Sequence, residues 1–326
     1  MIGKKDFKAP EMPQPAELGA PTFGDIQGNF LAQHFDSGKY SYRSENSLQP
    51  PPEPLTAPVT AKNPLQVNFL ASIRSPYTAL MVHRTAWLNS NFNCDVTVCA
   101  VMPEAIRLPG IFGGTHDVPA PGDPAPNGWY FLPNIMWDAL RVATYQGLDW
   151  YKNANPDPIK MDVWPDDSPT HNKIWPLEEQ PYILWMVRLA AAAQLAGKSV
   201  DFSLAIWPLI WSDSGENWPA EVPEAFAKAT GLNYEDTIKD MQANHEKYDA
   251  VWLANEKLQT AAGHGGIPVT VFRNEPYYGQ DRFDYMFYRL IENGLTRRDK
   301  PIAPFVDEPL RAPDYDKERE IIFGKA

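Results

Sequence analysis

Residues 65–102, LQVNFLASIRSPYTALMVHRTAWLNSNFNCDVTVCAVM, carry a complete β-α-β pattern. The apolar run 65–73 predicts a buried strand, and residues 94–102 predict a second one. Residues 75–91 predict a helix between them, with Pro76 in its first turn, where proline is tolerated. Strands joined by a helix lie parallel with a right-handed crossover, so this stretch predicts one half of an α/β sheet.

A second half lies further along the chain. Residues 267–273 predict a strand, Asn274-Glu275 a tight turn, residues 276–279 a short partner strand and residues 281–293 a helix. The stretch between the two halves has a mostly helical pattern. Joined end to end, the halves read βαβ–ββα, which is the order of a thioredoxin-like fold. We therefore expect an α/β protein with this fold, a large all-helical insertion and an extended N-terminal arm.

Proline and aromatic residues indicate how the chain is divided. It has 326 residues and 33 prolines, roughly twice the usual share of about 5%. The N-terminal segment lacks helical or strand periodicity, as expected of an extended arm. It also contains Phe23, Phe30 and Tyr40, so it should pack along its own domain or a partner subunit, with a free tail as the alternative. The predicted division is an arm at 1–65, a first thioredoxin-like part at 66–127, a helical insertion at 128–263, a second thioredoxin-like part at 264–300 and a tail at 301–326.

The charge balance limits the classes of partner. The chain has 29 Lys+Arg against 41 Asp+Glu, a net charge of −12, which disfavours nucleic-acid binding. Residues 1–15 contain no apolar signal-peptide core, and no apolar run approaches the roughly 20 residues of a membrane span. We expect a cytoplasmic protein that binds neither nucleic acid nor membranes.

Cysteine and histidine form no familiar functional pattern. Cys94 and Cys99 lie in one predicted strand and should point to opposite faces, as two buried thiols. They make neither a disulfide framework nor a C-x-x-C redox pair. None of the six histidines forms H-x-x-x-H or H-E-x-x-H, so no metal site is expected.

The turn from the first strand into the first helix reads Ser75-Pro76-Tyr77-Thr78. In a thioredoxin-like fold, this helix N-terminus offers unpaired N–H groups and a positive dipole end, which stabilise an anion or a thiolate. Redox members place C-x-x-C here, whereas this chain has Ser75 and Thr78, so disulfide exchange has no nucleophile. Ser75 can instead donate a hydrogen bond to a bound thiolate, and the alternative is a plain N-cap serine.

Two further features lie in the second half. Gly266-Ile267-Pro268 precedes a predicted strand. A cis proline beside the active turn would leave the preceding N–H and C=O to pair with a peptide-like ligand, whereas a trans proline would merely open the strand. Gln280 and Asp281 lie at a helix start, which can receive a carboxylate, and Asp281 can hold an ammonium group. The alternative there is a plain capping turn.

Together, and in this order, these motifs resemble the kappa-class glutathione transferases and 2-hydroxychromene-2-carboxylate isomerases of the DsbA-like group. That family opens with a strand followed by S-P-[YF]-[ST], here residues 75–78. It closes with G-[VI]-P and then [WFY]-[WFY]-G-x-D-R, here residues 266–268 and 277–282. The resemblance covers roughly residues 66–293.

The resemblance implies a glutathione-dependent enzyme. Ser75 would interact with the glutathione sulfur. The backbone of Ile267, ahead of Pro268, would pair with the cysteinyl part. Gln280 and Asp281 would bind the γ-glutamyl end. Members of the family are commonly homodimers, so a homodimer with glutathione as its cofactor is expected.

The chain departs from that family in ways that bear on the substrate. The family's proline-lysine pair near glutathione is matched by Pro133-Asn134, which lacks the charge. The arm and an enlarged loop at 103–133 are additions. Aromatic residues are candidates to wall a substrate pocket, with core packing as the alternative for the tryptophans. A histidine just before Pro268 is a candidate acid or base, with an ordinary loop histidine as the alternative. These candidate substrate residues are Tyr77, Trp129, Tyr130, Trp137 and His264.

Several functions stay open from the sequence. In the leading one, a glutathione thiolate adds to an electrophilic carbon of a small hydrophobic, aromatic substrate. The adduct then leaves as product, in a transferase, or rotates and expels glutathione, in an isomerase. Displacement at an ether carbon would make the enzyme a lyase or etherase. An alternative from another class is a non-catalytic thioredoxin-like binding or assembly module, in which Ser75 is only a cap.

Overall fold

A mixed four-stranded sheet is the framework of the protein. The structure, a computed structural model, describes residues 7–18, 52–107, 131–146, 148, 177–211 and 215–307. Strands β1 (Leu65–Ala71) and β2 (Cys94–Ala100) pair in parallel along their whole length. Helix α1 (Pro76–Asn91) connects them, as the sequence predicts.

The second half completes the sheet with β3 (Val269–Phe272) and β4 (Glu275–Tyr278). β3 runs antiparallel to β1 and β4 antiparallel to β3, so the strand order is β2-β1-β3-β4. The turn lies one residue earlier than predicted, because Arg273 and Asn274 adopt positive φ angles of 52° and 65°. Such angles suit a two-residue hairpin turn. The order and directions of the strands are those of a thioredoxin-like fold, which confirms the predicted fold.

Helices occupy the stretch between β2 and β3 and follow β4. The described helices after β2 are α2 (Glu104–Arg107), α3 (Phe131–Tyr145), α4 (Pro181–Leu195), α5 (Ser199–Trp211), α6 (Val222–Thr230), α7 (Tyr234–Ala243), α8 (His245–Ala261) and α9 (Phe283–Glu292). Short 3-10 turns cover Leu177–Glu179, Gly215–Glu221 and Gln280–Arg282. None of the helices in the described ranges has both the length and the apolarity that crossing a bilayer requires.

The central helix of the insertion is α4, which the sequence predicts to be hydrophobic nearly all round. Its apolar side chains are buried, and so is Arg188. Asp249 on α8 compensates this buried charge, because its two carboxylate oxygens accept from Nε and Nη2 of Arg188, each at 2.8 Å. A bidentate pair of this kind satisfies both groups away from water.

The first described part of the arm, residues 7–18, packs on this insertion. Nη1 of Arg188 donates to the carbonyl oxygen of Pro13 at 2.7 Å. The ring of Phe7 lies 5.6 Å from that of Trp185, and Met12 is buried. These residues therefore pack along the chain's own domain, one of the two placements expected for the arm.

The second described part of the arm and the residues after α9 pack on the thioredoxin-like part. Leu55 N–H donates to Oδ1 of buried Asn293 at 3.1 Å. At the β2 edge of the sheet, Asn93 N–H donates to the carbonyl of Thr296 at 2.8 Å, and Arg298 pairs with Asp95 at 3.0 Å. The exposed edge strand is thereby covered at its start.

Side chains of β1 and β2 alternate between two core clusters, one on each face of the sheet. Phe69 and Cys94 belong to the larger cluster, which contains residues of α1, α4 and α5. Leu70 and Cys99 belong to a smaller cluster with Ile267. Cys94 and Cys99 therefore point to opposite faces as free, buried thiols, as predicted.

Candidate active site

The site is built around the turn between β1 and α1. Ser75 is the N-cap of α1, with φ −91° and ψ 121°, and its Oγ accepts the N–H of Thr78 at 3.2 Å. The N–H of Tyr77 has no acceptor among the described residues. Because Oγ acts as an acceptor, the hydroxyl proton of Ser75 is available for a ligand at the positive end of α1. The capping and ligand-binding interpretations of Ser75 are thus compatible.

The two positions that hold cysteine in redox members contain hydroxyl side chains. Thr78 is fully buried, and its Oγ1 has no hydrogen-bond partner in the described part of the chain. Both cysteines of the protein lie elsewhere, in β2. Burial raises the pKa of the Cys99 thiol to about 12 and also raises the pKa of Cys94. Neither thiol is a nucleophile near neutral pH.

Pro268 lies beside this turn. Leu70 on β1 is opposite Val269 on β3, so the residues before Val269 lie alongside the end of β1. The Ile267–Pro268 peptide bond is cis, which is one of the two alternatives that the sequence left open. The N–H and C=O of Ile267 have no partner among the described residues. An extended ligand can therefore pair with this backbone as an added strand.

The turn after β4 is held against α1 and Pro268. Gly279, at φ 90°, donates its N–H to the carbonyl of Pro268 at 2.9 Å. Buried Arg84 of α1 donates to the carbonyl of Gln280 at 3.2 Å. Asp281 is exposed and pairs with Arg282 at 2.9 Å. Its carboxylate is thus accessible to a ligand ammonium group, which would compete with Arg282 for it.

Three aromatic rings lie together next to this turn. Tyr77 donates its hydroxyl proton to Asp138 at 2.7 Å. Burial, then this hydrogen bond, raises the pKa of Tyr77, and the nearby charges of Tyr278 and Asp281 add to the effect. The ring of His264 stacks on that of Tyr278, with centroids 4.3 Å apart. His264 therefore contacts Tyr278, and Tyr77 lies close enough to Tyr278 and Asp281 for their charges to act on its pKa.

The protonation of His264 follows from its contacts. Its Nδ1 accepts the N–H of Gly266 at 3.0 Å, which places the remaining ring proton of a neutral imidazole on Nε2. Burial lowers the pKa of His264 and favours this neutral form. The acid or base role of His264 that the sequence indicates stays a prediction.

Some predicted residues cannot be placed in the site. Trp129 and Tyr130 lie outside the described residues, and so do the side chains of Trp137 and Asn134, whose backbones belong to α3.

The structure does show a cation at the turn. Arg74 directly precedes Ser75, and its Nη1 donates to Oε1 of buried Gln180 at 2.9 Å.

Sequence reasoning missed a buried polar cluster behind the loop that leads to Pro268. It consists of Arg107 at the end of α2 and of Glu256 and Gln259 on α8. Arg107 donates to Oε1 of Gln259 at 2.9 Å. No local motif marks these residues, because more than 150 positions separate Arg107 from Gln259. The described residues contain no group of three or more His, Cys, Asp or Glu side chains that could hold a metal ion.

Fifteen chains of solved structures match this chain, and two of them are a 2-hydroxychromene-2-carboxylate isomerase and a disulfide reductase. No family model and no curated protein matches the chain. The structure of a 2-hydroxychromene-2-carboxylate isomerase matches at 16% identity and a TM-score of 0.43, over 69% of this chain and 94% of that one. The cytosolic disulfide reductase DsbM from Pseudomonas aeruginosa, with GSH, matches at 13% identity and a TM-score of 0.44, over 70% of this chain and 100% of that one. The assignment of the fold rests on the strand order described above.

Proposed function

We propose that this protein is a glutathione-dependent enzyme, a transferase or isomerase that acts on a hydrophobic, aromatic substrate. The observation that supports this most directly is the geometry of Ser75. Its hydroxyl proton is available at the N-terminus of α1, because Oγ itself accepts the Thr78 N–H. Such a turn suits a thiolate. With both cysteines buried in β2, the sulfur would come from a bound ligand.

The surrounding groups match the parts of glutathione. The unpaired backbone of Ile267 binds the cysteinyl part as an added strand. Asp281 receives the γ-glutamyl ammonium, while the turn at Gln280 receives the adjacent carboxylate. Arg74 provides a positive charge next to Ser75 for a glutathione carboxylate. This cation takes the place of the lysine that the resemblance leads one to expect at Asn134.

In the proposed mechanism, Ser75 Oγ and the Tyr77 N–H hold the glutathione thiolate. The sulfur lone pair forms a C–S bond with an electrophilic carbon, and the displaced electron pair moves onto the conjugated group of the substrate. In a transferase, the adduct takes up a proton and leaves. In an isomerase, the adduct rotates about the former double bond, the electron pair returns, and the C–S bond breaks to release the thiolate.

The aromatic cluster would contact the substrate. Tyr77 is partly buried and Tyr278 is 48% exposed, so both offer ring surface next to the turn. His264, whose ring stacks on that of Tyr278, stays a candidate acid or base for the substrate. A contact of Trp129, Tyr130 or Trp137 with the substrate stays a prediction from the sequence.

The test is a calorimetric titration with two ligands. The wild type should bind glutathione, and Ser75→Ala should raise its Kd about tenfold, because a hydrogen bond to a charged sulfur is lost. S-methylglutathione is the matched control, since it lacks the thiolate. Wild type and Ser75→Ala should bind it equally. Absence of glutathione binding at millimolar concentration would refute the proposal.

The remaining proposals concern chemistry and assembly. A lyase or etherase would use the same thiolate, and product analysis with an aryl ether distinguishes it from a transferase. A non-catalytic module would bind no glutathione, or bind it without turnover. We also propose a cytoplasmic homodimer. Light scattering tests the dimer, and a cytoplasmic location would give access to the glutathione pool.

A further inference from the structure

A buried hydrogen-bonded cluster lies behind the loop of residues 263–267. Gln259 is fully buried on α8, and its Nε2 donates to the carbonyl oxygen of Gly266 at 2.5 Å. The side chain of Arg107 is 4% exposed, and its Nη2 donates to the carbonyl oxygen of Gly265 at 3.1 Å. Two consecutive carbonyl groups of the loop are therefore held by side chains from two different helices.

The members of this cluster also fix one another. Nη1 of Arg107 donates to Oε1 of Gln259 at 2.9 Å, so the Gln259 amide has a defined orientation. Oε1 of Glu256 accepts the N–H of Met102 at 3.0 Å and lies 3.9 Å from Nε of Arg107. The contact between Arg107 and Gln259 therefore orients both donor side chains. Glu256 connects the cluster to Met102, which follows β2.

The loop of residues 263–267 is also held by contacts of His264. Gly266 N–H donates to Nδ1 of His264, and the ring of His264 stacks on Tyr278. Gly266 has no room for a side chain, since a Cβ there would lie 2.5 Å from the ring of Tyr278. Gly266 is therefore bonded through both its N–H and its C=O immediately before Ile267, whose own backbone groups have no partner in the described structure.

We propose that Arg107 and Gln259 are positioning residues that fix the backbone of Ile267 for pairing with the ligand. This inference rests on the proposed glutathione site, because the ligand in question is its cysteinyl part. A fixed loop binds without the entropic cost of ordering at the moment of association. In this arrangement, affinity depends on two buried side chains that do not touch the ligand.

Two variants test the roles separately. Gln259→Glu keeps an acceptor for Arg107 but replaces the donor to Gly266 with an oxygen. Arg107→Lys keeps the charge but loses the planar fork that reaches Gln259 and Gly265 together. The matched control is Gln194→Glu. Gln194 also forms an amide pair with α8, through Asn255, but contacts no atom of the loop.

Two measurements are made on each folded variant. Hydrogen–deuterium exchange of residues 263–269 without ligand reports the loop, and calorimetry reports glutathione binding. In Gln259→Glu and Arg107→Lys, loop exchange should accelerate about tenfold and the Kd should rise about tenfold, with neither change in Gln194→Glu. Thermal unfolding shows whether each variant folds. If Gln259→Glu does not fold, Arg107→Lys alone provides the test.

The outcomes are distinguishable. Unchanged loop exchange in both variants would overturn the inference. Faster exchange with an unchanged Kd would also overturn it, because the cluster would then be purely structural. If the wild type binds no glutathione, the proposed function fails, and with it the ligand part of this inference. Exchange in the ligand-free protein would still decide whether the cluster fixes the loop.

Discussion

Replacing Glu256 by glutamine should change how the stability of the protein depends on pH. The Glu256 side chain is 1% exposed, and its Oε2 has no hydrogen-bond partner among the described residues. Burial raises the pKa of this carboxyl from its ordinary value of 4.5 to about 7, against the opposing effects of Arg107 and the Met102 N–H. Glutamine keeps the size of the side chain and the acceptor for Met102, but it cannot ionise.

The sign and size of the effect follow from linkage. Between pH 4.5 and pH 7, the folded state binds more protons at Glu256 than the unfolded state does, so the free energy of unfolding falls as the pH rises. Each pKa unit corresponds to about 1.4 kcal/mol. From pH 5 to pH 9, ionisation of Glu256 should therefore cost the wild type about 2 to 3 kcal/mol. Glu256→Gln should not show this loss.

The assay is urea unfolding of both proteins at pH 5 and pH 9. The stability of Glu256→Gln relative to the wild type should increase by about 2 to 3 kcal/mol across this interval. Glu178→Gln is the matched control, because it makes the same substitution at an exposed position in the turn before α4. An equal pH dependence in wild type and Glu256→Gln would refute the reasoning, since Glu256 would then titrate alike in both states.

Three other perturbations have defined outcomes. Deletion of residues 1–18 should lower the free energy of unfolding by about 1 to 3 kcal/mol, measured with urea, because buried Arg188 loses a carbonyl acceptor; an unchanged midpoint would contradict this. Arg74→Gln should raise the Kd for glutathione about fivefold in calorimetry, through loss of charge, and an unchanged Kd would remove Arg74 from the site. Gly266→Ala should displace the ring of Tyr278, seen as a change in near-ultraviolet circular dichroism, whereas an unaltered spectrum would show that the ring is not displaced.

The parts of the fold that local sequence patterns determine were predictable. The apolar runs of β1 and β2 and the N-cap at Ser75 lie where the sequence indicates them. Boundaries were less certain. The apolar pattern of residues 134–148 predicts a helix that starts at 134, whereas helix α3 begins at Phe131, because Pro133 is accommodated in its first turn. The hairpin turn falls on Arg273 and Asn274, one residue before the predicted turn. The sequence did not indicate this position, because composition does not suggest an arginine at positive φ.

The site was predictable only where one short motif contains it. The turn at Ser75 and the proline at 268 were each recognisable along the chain. The contacts that orient them depend on tertiary structure. Tyr77 meets Asp138 across 61 positions, and Arg107 meets Gln259 across 152. Side chains that far apart carry no local signal, so their roles appear only once the helices are packed.

The order of the strands along the chain also determines when the sheet can form during synthesis. β1 occupies the middle of the sheet, yet its antiparallel neighbour β3 is translated about 200 residues later. At about 5 to 20 residues per second, a ribosome needs roughly 10 to 40 s to translate the chain from β1 to β3. Throughout that interval, β1 has only its parallel neighbour β2, and the turn at Ser75 lacks the backbone of Ile267. In the proposed glutathione site, the nascent chain could therefore bind the ligand only after residues 267–281 have left the exit tunnel.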